Sequence, residues 1–191
     1  MGNFYTDVIQ PDPQFNSTSR IADPALLEPV TRQLVMMIIE QAANMGFNMM
    51  IFETYRSQVR QQMLFDQGAT QLRQVGVHHY GLACDIVKNI NGEPSWKGDF
   101  SFVGQLAHSA GLIWGGDWGT PNQHHSFIDQ PHLQRVTVAR QGALFAGTWY
   151  PSADYNPYKD QPQFMLASVL AQPITRTAIA KPAKKAAKRI T

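Results

Sequence analysis

An α+β domain with a small, mainly antiparallel sheet and flanking helices is what this sequence predicts, and three observations carry that expectation. Helix-period and strand-like segments follow one another without a regular strand–helix–strand alternation. The strand candidates are short, and one is followed by Asn91-Gly92, a hairpin-turn signal. The chain has 191 residues, 43% of them hydrophobic, enough for one buried core and too few for two large domains. The single cysteine, Cys84, rules out an intramolecular disulfide framework, so packing has to hold the domain together.

Each element has its own local reason. Residues 1–22 are polar and contain proline, and read as an extended arm or lid. Asp23-Pro24 supplies an N-cap and a first-turn proline. Leu27, Val30, Leu34, Ile38, Ala42 and Met45 then recur at spacings of three and four, one apolar helix face that Gly46 is placed to end. Residues 47–54 form a short apolar run and read as a buried strand. Ser57 can cap a second helix to about Gln67, with Met63 and Leu64 inward. Residues 68–80 lack a period and read as a loop. Residues 81–86 read as a strand, and residues 89–97 as a hairpin. Asp99 can cap a helix through Phe102, Leu106 and Ala110 that Gly111 ends. Residues 112–114 form a short strand, 115–131 a long polar loop and 132–136 a last strand.

The charge is unevenly distributed. Residues 1–160 hold 10 Lys/Arg and 14 Asp/Glu, a net of −4, whereas residues 161–191 hold six basic residues and no acidic one. The expected organisation is therefore an acidic domain over 1–160, with its core at about 23–140, and a basic Ala/Lys/Pro tail over 161–191 that is flexible in isolation. Such a tail is suited to an anionic wall or membrane surface. It has no aromatic interleaving and no sequence-reading chemistry, and the acidic body argues against a nucleic-acid binder. No apolar run approaches the ~20 residues of a membrane span. The N-terminus has neither a basic nor an apolar leader region. The expectation is a monomer made in the cytoplasm and released or delivered to its site of action by another route.

All six histidines lie between 78 and 132. One group is His78-His79-Tyr80-Gly81-Leu82-Ala83-Cys84-Asp85, and another is His124-His125 through Asp129-Gln130-Pro131-His132. Imidazole and carboxylate suit a catalytic zinc, which takes three protein ligands and leaves a position open. Structural zinc sites are usually closed and cysteine-rich. Strand alternation puts Asp85 on one face with Ala83 and Gly81, which leaves room for a metal, and turns Cys84 and Ile86 into the core.

These segments resemble a known family. His78, Gly81, Ala83 and Asp85 read H-x-x-G-x-A-x-D. Asp129, Pro131 and His132 read D-x-P-H. Thr54-Tyr55-Arg56-Ser57, with Gln61 and Gln67-Gly68 downstream, looks like the family's Y-R-S helix start. Trp114-Gly115-Gly116-Asp117-Trp118 looks like its tryptophan–glycine turn. In this order and spacing they are similar to the zinc D-Ala-D-Ala carboxypeptidase and L-alanyl-D-glutamate endopeptidase family, peptidoglycan-cutting enzymes that share a zinc fold with the hedgehog signalling domain. The resemblance covers about residues 26–140. Gly76 stands where the family usually has Ser, and His79, His124 and His125 are additional histidines.

The resemblance implies His78, Asp85 and His132 as zinc ligands and Asp129 as the base that activates water. It leaves Arg56 for a substrate carboxylate or developing oxyanion. Trp114 and Tyr80 are the aromatic candidates for substrate contact, with packing the competing role for Trp114. Asp117 is expected to be a turn residue or to orient a ligand histidine, and Glu53 to be a buried ion-pair partner. The activity implied is hydrolysis of a peptidoglycan stem-peptide bond, L-Ala–D-Glu as in phage endolysins. The alternatives are a D-Ala-D-Ala carboxypeptidase and a non-catalytic zinc-containing module that binds a wall or protein partner.

Overall fold

Among the described residues, five short strands, all paired antiparallel, make one sheet in the order β1-β2-β5-β4, with β3 also on β2. The computed structural model describes residues 2–70, 73, 75–118 and 128–160. His124, His125 and the 161–191 tail lie outside the described residues. The strands are β1 (Met49–Glu53), β2 (Ala83–Ile90), β3 (Glu93–Ser95), β4 (Ile113–Trp114) and β5 (His132–Gln134), and the helices are α1 (Pro29–Asn44), α2 (Gln58–Asp66), α3 (Ser101–Ala110) and α4 (Val138–Phe145). This is the α+β architecture that the mixed element order implied. No described helix is long and apolar enough to cross a membrane.

β2 organises the sheet. Its first half pairs with β5, its second half with β3, and its other edge with β1. Asn91 (φ 57°) and Gly92 (φ 92°) close the β2–β3 hairpin in the left-handed region, the conformation a two-residue hairpin turn requires. The alternation read from sequence holds, with Cys84 and Ile86 fully buried in the main core. That core gathers Leu27, Val35, Ile38 and Ala42 from the α1 side, Val103 and Ala107 from α3, and Leu133 from β5.

The sequence reading and the structure differ at several elements. The single helix expected from Asp23 is split. Residues Pro24–Leu26 form one 3₁₀ turn, the chain extends at Leu27 and Glu28, and α1 restarts at Pro29. Proline disfavours the helical conformation at the residue before it, so Glu28 (ψ 140°) becomes a cap, its carboxylate accepting from the Thr31 amide at 2.8 Å. In α2 the Ser57 hydroxyl caps the Arg60 amide as expected, but the buried residue is Gln61, and Met63 is 41% exposed. Helix α4 and the turn at Pro157–Lys159 lie in a region where no element was expected.

Polar anchors fasten the outer segments to the body. Arg135 is fully buried. It pairs with Glu28 at 3.1 Å and donates to the carbonyls of Ser152, Ala153 and Tyr155. The N-terminal arm is held to the β1–α2 connection. Tyr55 Oη donates to Phe15 O at 2.7 Å, Ser57 Oγ to Ser17 O at 2.5 Å, and the Thr54 amide to Ile21 O at 2.8 Å.

Candidate active site

The sheet register brings the ligand candidates together. Asp85 on β2 lies opposite His132 on β5 and, across its other edge, opposite Glu53 on β1. His78 arrives from the Val77–Tyr80 turn, which ends at Gly81 with φ 70°. A Cβ at Gly81 would meet Leu26 O at 2.7 Å, so this glycine is required by both backbone conformation and space. His78 Nε2 and His132 Nδ1 stand 3.2 and 3.0 Å from Asp85 Oδ1 and 3.2 Å from each other. All three side chains are nearly buried.

The outer contacts of these rings decide which nitrogen faces inward. His78 Nδ1 donates to the Thr54 carbonyl at 3.1 Å, leaving Nε2 a lone pair. His132 Nε2 donates to Gln134 Oε1 at 3.0 Å, leaving Nδ1 a lone pair. The Gln134 amide nitrogen in turn donates to Val136 O, which orients its oxygen toward the ring. Two imidazole lone pairs and one carboxylate oxygen thus converge with no donor between them. Such a group of acceptors calls for a cation, and its His/His/Asp chemistry fits zinc.

The electrostatics agree. Burial works to push the Asp85 carboxyl up, but His78 and His132 outweigh it and hold the group well below the usual carboxylate range. Burial opposes charge on His132 as well, yet the bond to Asp85 and the charges of Asp85 and Asp129 raise its affinity for a proton. The same field favours a metal cation. Asp129 goes the other way: burial is the largest cause of an upward shift, reinforced by Asp85 and opposed by His132, His78 and Arg56. Its carboxyl is therefore held toward the protonated form, as suits a group that exchanges protons. Backbone bonds place it: its carbonyl accepts from the His132 amide, and its amide donates to Gly115 O, both at 3.1 Å.

Arg56 stands beside this cluster. Its guanidinium bonds Glu53 through Nε at 2.8 Å and again through Nη2, reaches Asp85 Oδ2 at 3.3 Å, and donates to Gln61 Oε1 at 3.3 Å. By engaging Oδ2 it leaves Oδ1 of Asp85 for the two histidines. Glu53 also pairs with Arg60 at 2.6 Å, so the buried ion pair expected of it joins two arginines. About a sixth (16%) of the Arg56 side chain still reaches solvent.

Other expected residues take different places. Tyr80 is only 7% exposed, and its ring packs between Tyr5 and Phe145 in a second apolar cluster, which leaves little of it for a substrate. Trp114 is a brace. Its indole lies on Gly104 and Gly116, and its Nε1 donates to Gln130 O at 2.6 Å. The tryptophan next to the ligands is Trp118, 4.9 Å from the His132 ring. Asp117 ends the Gly115–Asp117 turn, the first of the two places expected of it, and its carboxylate bonds His108 on α3. His79 is buried against the arm, with Tyr5 Oη at 2.8 Å from its Nε2. Sequence reasoning missed Gln134 and the Thr54 carbonyl. The period-2 spacing of His132 and Gln134 was the available signal for the first; a backbone carbonyl leaves no signal in a residue pattern.

A hydrolase whose His78, Asp85 and His132 could hold a metal ion is the class to which this fold and cluster point. The family profile described as D-alanyl-D-alanine carboxypeptidase matches residues 70–135, the span from the loop before His78 to just past Gln134. A peptidoglycan L-alanyl-D-glutamate endopeptidase of Bacillus subtilis, CwlK, is 29% identical over 140 residues, covering 63% of this chain and 80% of that protein. An L-alanyl-D-glutamate peptidase of Listeria phage A118 is 29% identical over 136 residues, covering 66% of this chain and 46% of its own length. The solved L-Ala D-Glu endopeptidase ChiX of Serratia marcescens is 23% identical, with a TM-score of 0.47, covering 62% of this chain and 90% of that one. The chain is thus similar to D-alanyl-D-alanine carboxypeptidases over residues 70–135 and to L-alanyl-D-glutamate endopeptidases over a longer stretch, and it is a peptidase.

Proposed function

We propose that the protein is a zinc metallopeptidase that hydrolyses a peptidoglycan stem-peptide bond, L-Ala–D-Glu, in the manner of a phage endolysin acting at the cell wall. The observation that carries this reading is the convergence of His78, Asp85 and His132 as three buried acceptors, with Asp129 on the turn that leads into His132. His78 Nε2, Asp85 Oδ1 and His132 Nδ1 would hold the zinc. When bound, zinc lowers the pKa of a coordinated water to near 7 and polarises the scissile carbonyl. Asp129 takes the proton from the attacking water and delivers it to the leaving amine. The accessible part of Arg56 meets a substrate carboxylate or the oxyanion that develops at the carbonyl. The two relatives that carry the L-alanyl-D-glutamate specificity in their names favour that bond.

The catalytic unit is proposed to end near residue 160. The six basic residues beyond it would favour binding to anionic wall polymers at low salt.

The test is digestion of purified peptidoglycan by the zinc-loaded protein, with new termini identified by mass spectrometry. Asp129→Ala and chelator-treated samples run beside it. Free L-Ala carboxyl ends that depend on both Asp129 and metal are the expected result. Release of terminal D-Ala would instead make the protein a carboxypeptidase. A folded, zinc-loaded protein that produced no new ends would overturn the enzyme reading altogether.

A further inference from the structure

Asp129 lines a groove of about 430 Å³ whose other walls are Trp96, Phe100, Ile128, Gln130 and Pro131. Trp96 directly follows β3, and half of it (50%) is exposed, as is half of Ile128 (51%). A large ring left in solvent is usually free to reorient. This one is held: Phe52 of β1 meets it edge-on with centroids 4.8 Å apart, and the Arg20 guanidinium sits 4.5 Å from the centre of Phe52. The groove therefore offers a preorganised apolar face that shares a wall with the proposed general acid.

We propose that this groove is the subsite for the leaving side of the substrate, with Trp96 packing on the aliphatic chain of the residue that follows D-glutamate in the stem peptide. The inference rests on the peptidase reading above. Its logic is positional. The amine that accepts the proton from Asp129 must lie within hydrogen-bond reach of that carboxyl. The chain continuing from that amine then runs along the wall to which Asp129 belongs. A diamino acid presents several methylenes there, and a tryptophan face covers such a chain at little conformational cost. Trp96 is thus a specificity residue and takes no part in proton transfer.

The experiment compares wild type, Trp96→Ala and Trp96→Phe, all zinc-loaded, on two soluble N-acylated substrates. One ends at D-Glu, and the other carries the diamino acid and D-Ala beyond it. Wild type should favour the longer substrate. Trp96→Ala should raise its KM by about tenfold with kcat within about threefold, as expected for a contact made equally in ground and transition states. It should leave the short substrate unchanged, and Trp96→Phe should recover most of the loss. Equal KM values for wild type and Trp96→Ala on the longer substrate, or an equal loss on both substrates, would overturn the subsite while leaving the peptidase reading intact. Zinc affinity and thermal unfolding check the variant itself. If Trp96→Ala does not fold, Ile128→Ala and the length preference of the wild type decide: a wild type indifferent to length overturns the subsite. Failure of the wild type to cut either substrate would remove the peptidase reading and the subsite together.

Discussion

His132 Nε2 donates to Gln134 Oε1 at 3.0 Å, two residues along the same strand and on the same face. That contact turns Nδ1 toward Asp85 and His78, so the side chain of Gln134 sets the tautomer of a proposed metal ligand. Gln134→Leu removes the acceptor and leaves a buried imidazole N–H without a partner. Zinc affinity, measured by competition with a chromogenic chelator, should fall about 10–100-fold. Gln134→Glu keeps the acceptor for the ring but loses the donor to Val136 O, and should fall between wild type and Gln134→Leu. An unchanged affinity in Gln134→Leu would show that the tautomer is set elsewhere.

Metal loading should be visible as stability. The three convergent acceptors repel one another unless a cation or proton joins them. Ligands that bind only the folded state stabilise it, by about 2.7 kcal/mol at a free concentration 100 times Kd. Zinc should raise the melting temperature of the chelator-stripped protein in a concentration-dependent way. Asp85→Asn should erase most of that rise. A zinc-insensitive wild-type transition would contradict the site.

Glu53 is 2% exposed and carries two arginine partners, Arg56 and Arg60. Glu53→Gln leaves both guanidinium groups beside a neutral amide in a largely desolvated place. The expected cost is about 3–5 kcal/mol in a urea titration, the usual result of removing one partner from a buried pair. The same variant should lower activity on the wall, because Arg56 loses the anchor that holds it against Asp85 Oδ2. A loss within 1 kcal/mol would mean that the arginines find water.

Gly115 leaves no room for a side chain. A Cβ built there runs into the carbonyl oxygen of Asp129 and comes within 3.0 Å of His132 Cβ. Gly115→Ala should therefore displace both the proposed base and a ligand. Activity should drop by at least about tenfold, since small misplacements at a reacting centre are costly. Gly142→Ala, with nothing within 4 Å of its added Cβ, is the control and should be silent.

The His108–Asp117 pair gives a pH dependence away from the proposed site. The bond to Asp117 is the main cause that raises the His108 pKa above its ordinary value, with partial burial opposing it. A raised folded-state pKa means that the contribution is complete below about 6.5 and is lost as pH rises through the raised value. The melting temperature of wild type should exceed that of Asp117→Asn at pH 6, with the gap shrinking by pH 9. Both groups are 46% exposed, so the gap should be small and should weaken in high salt. A gap that does not vary with pH would assign the pair no titrating role.

Much of the fold follows from local signals. The caps at Asp23 and Ser57, the Asn91-Gly92 turn and the alternation that buries Cys84 and Ile86 are local devices, and each appears where the residues dictate; Asp99 sits one residue ahead of the α3 N-cap, Phe100, and accepts from the Ser101 amide. The split at Leu27–Glu28 was open to the same kind of reading, because Pro29 restricts its neighbour. Met63, expected inward, is exposed and Gln61 is buried, because apolar periodicity is weak in a short helix, whereas a buried amide can be satisfied by Arg56 and Thr70.

Residue type and spacing by themselves determined the chemistry available here: two histidines and two carboxylates in H-x-x-G-x-A-x-D and D-x-P-H, a free buried cysteine and an arginine at a helix start. Tertiary structure alone decided what each of them faces. Register placed His132 opposite Asp85, across strands 47 residues apart in the chain. The Thr54 carbonyl and Gln134 selected the histidine nitrogens that face Asp85, and Glu53 drew Arg56 against Asp85. Packing took Tyr80 into the core, made Trp114 a brace and left Trp96 open beside Asp129. The physical reason is range. Caps and turns are settled within a few residues, whereas the orientation of an imidazole, a guanidinium or an indole is settled by whichever distant groups the sheet brings within hydrogen-bond or van der Waals reach.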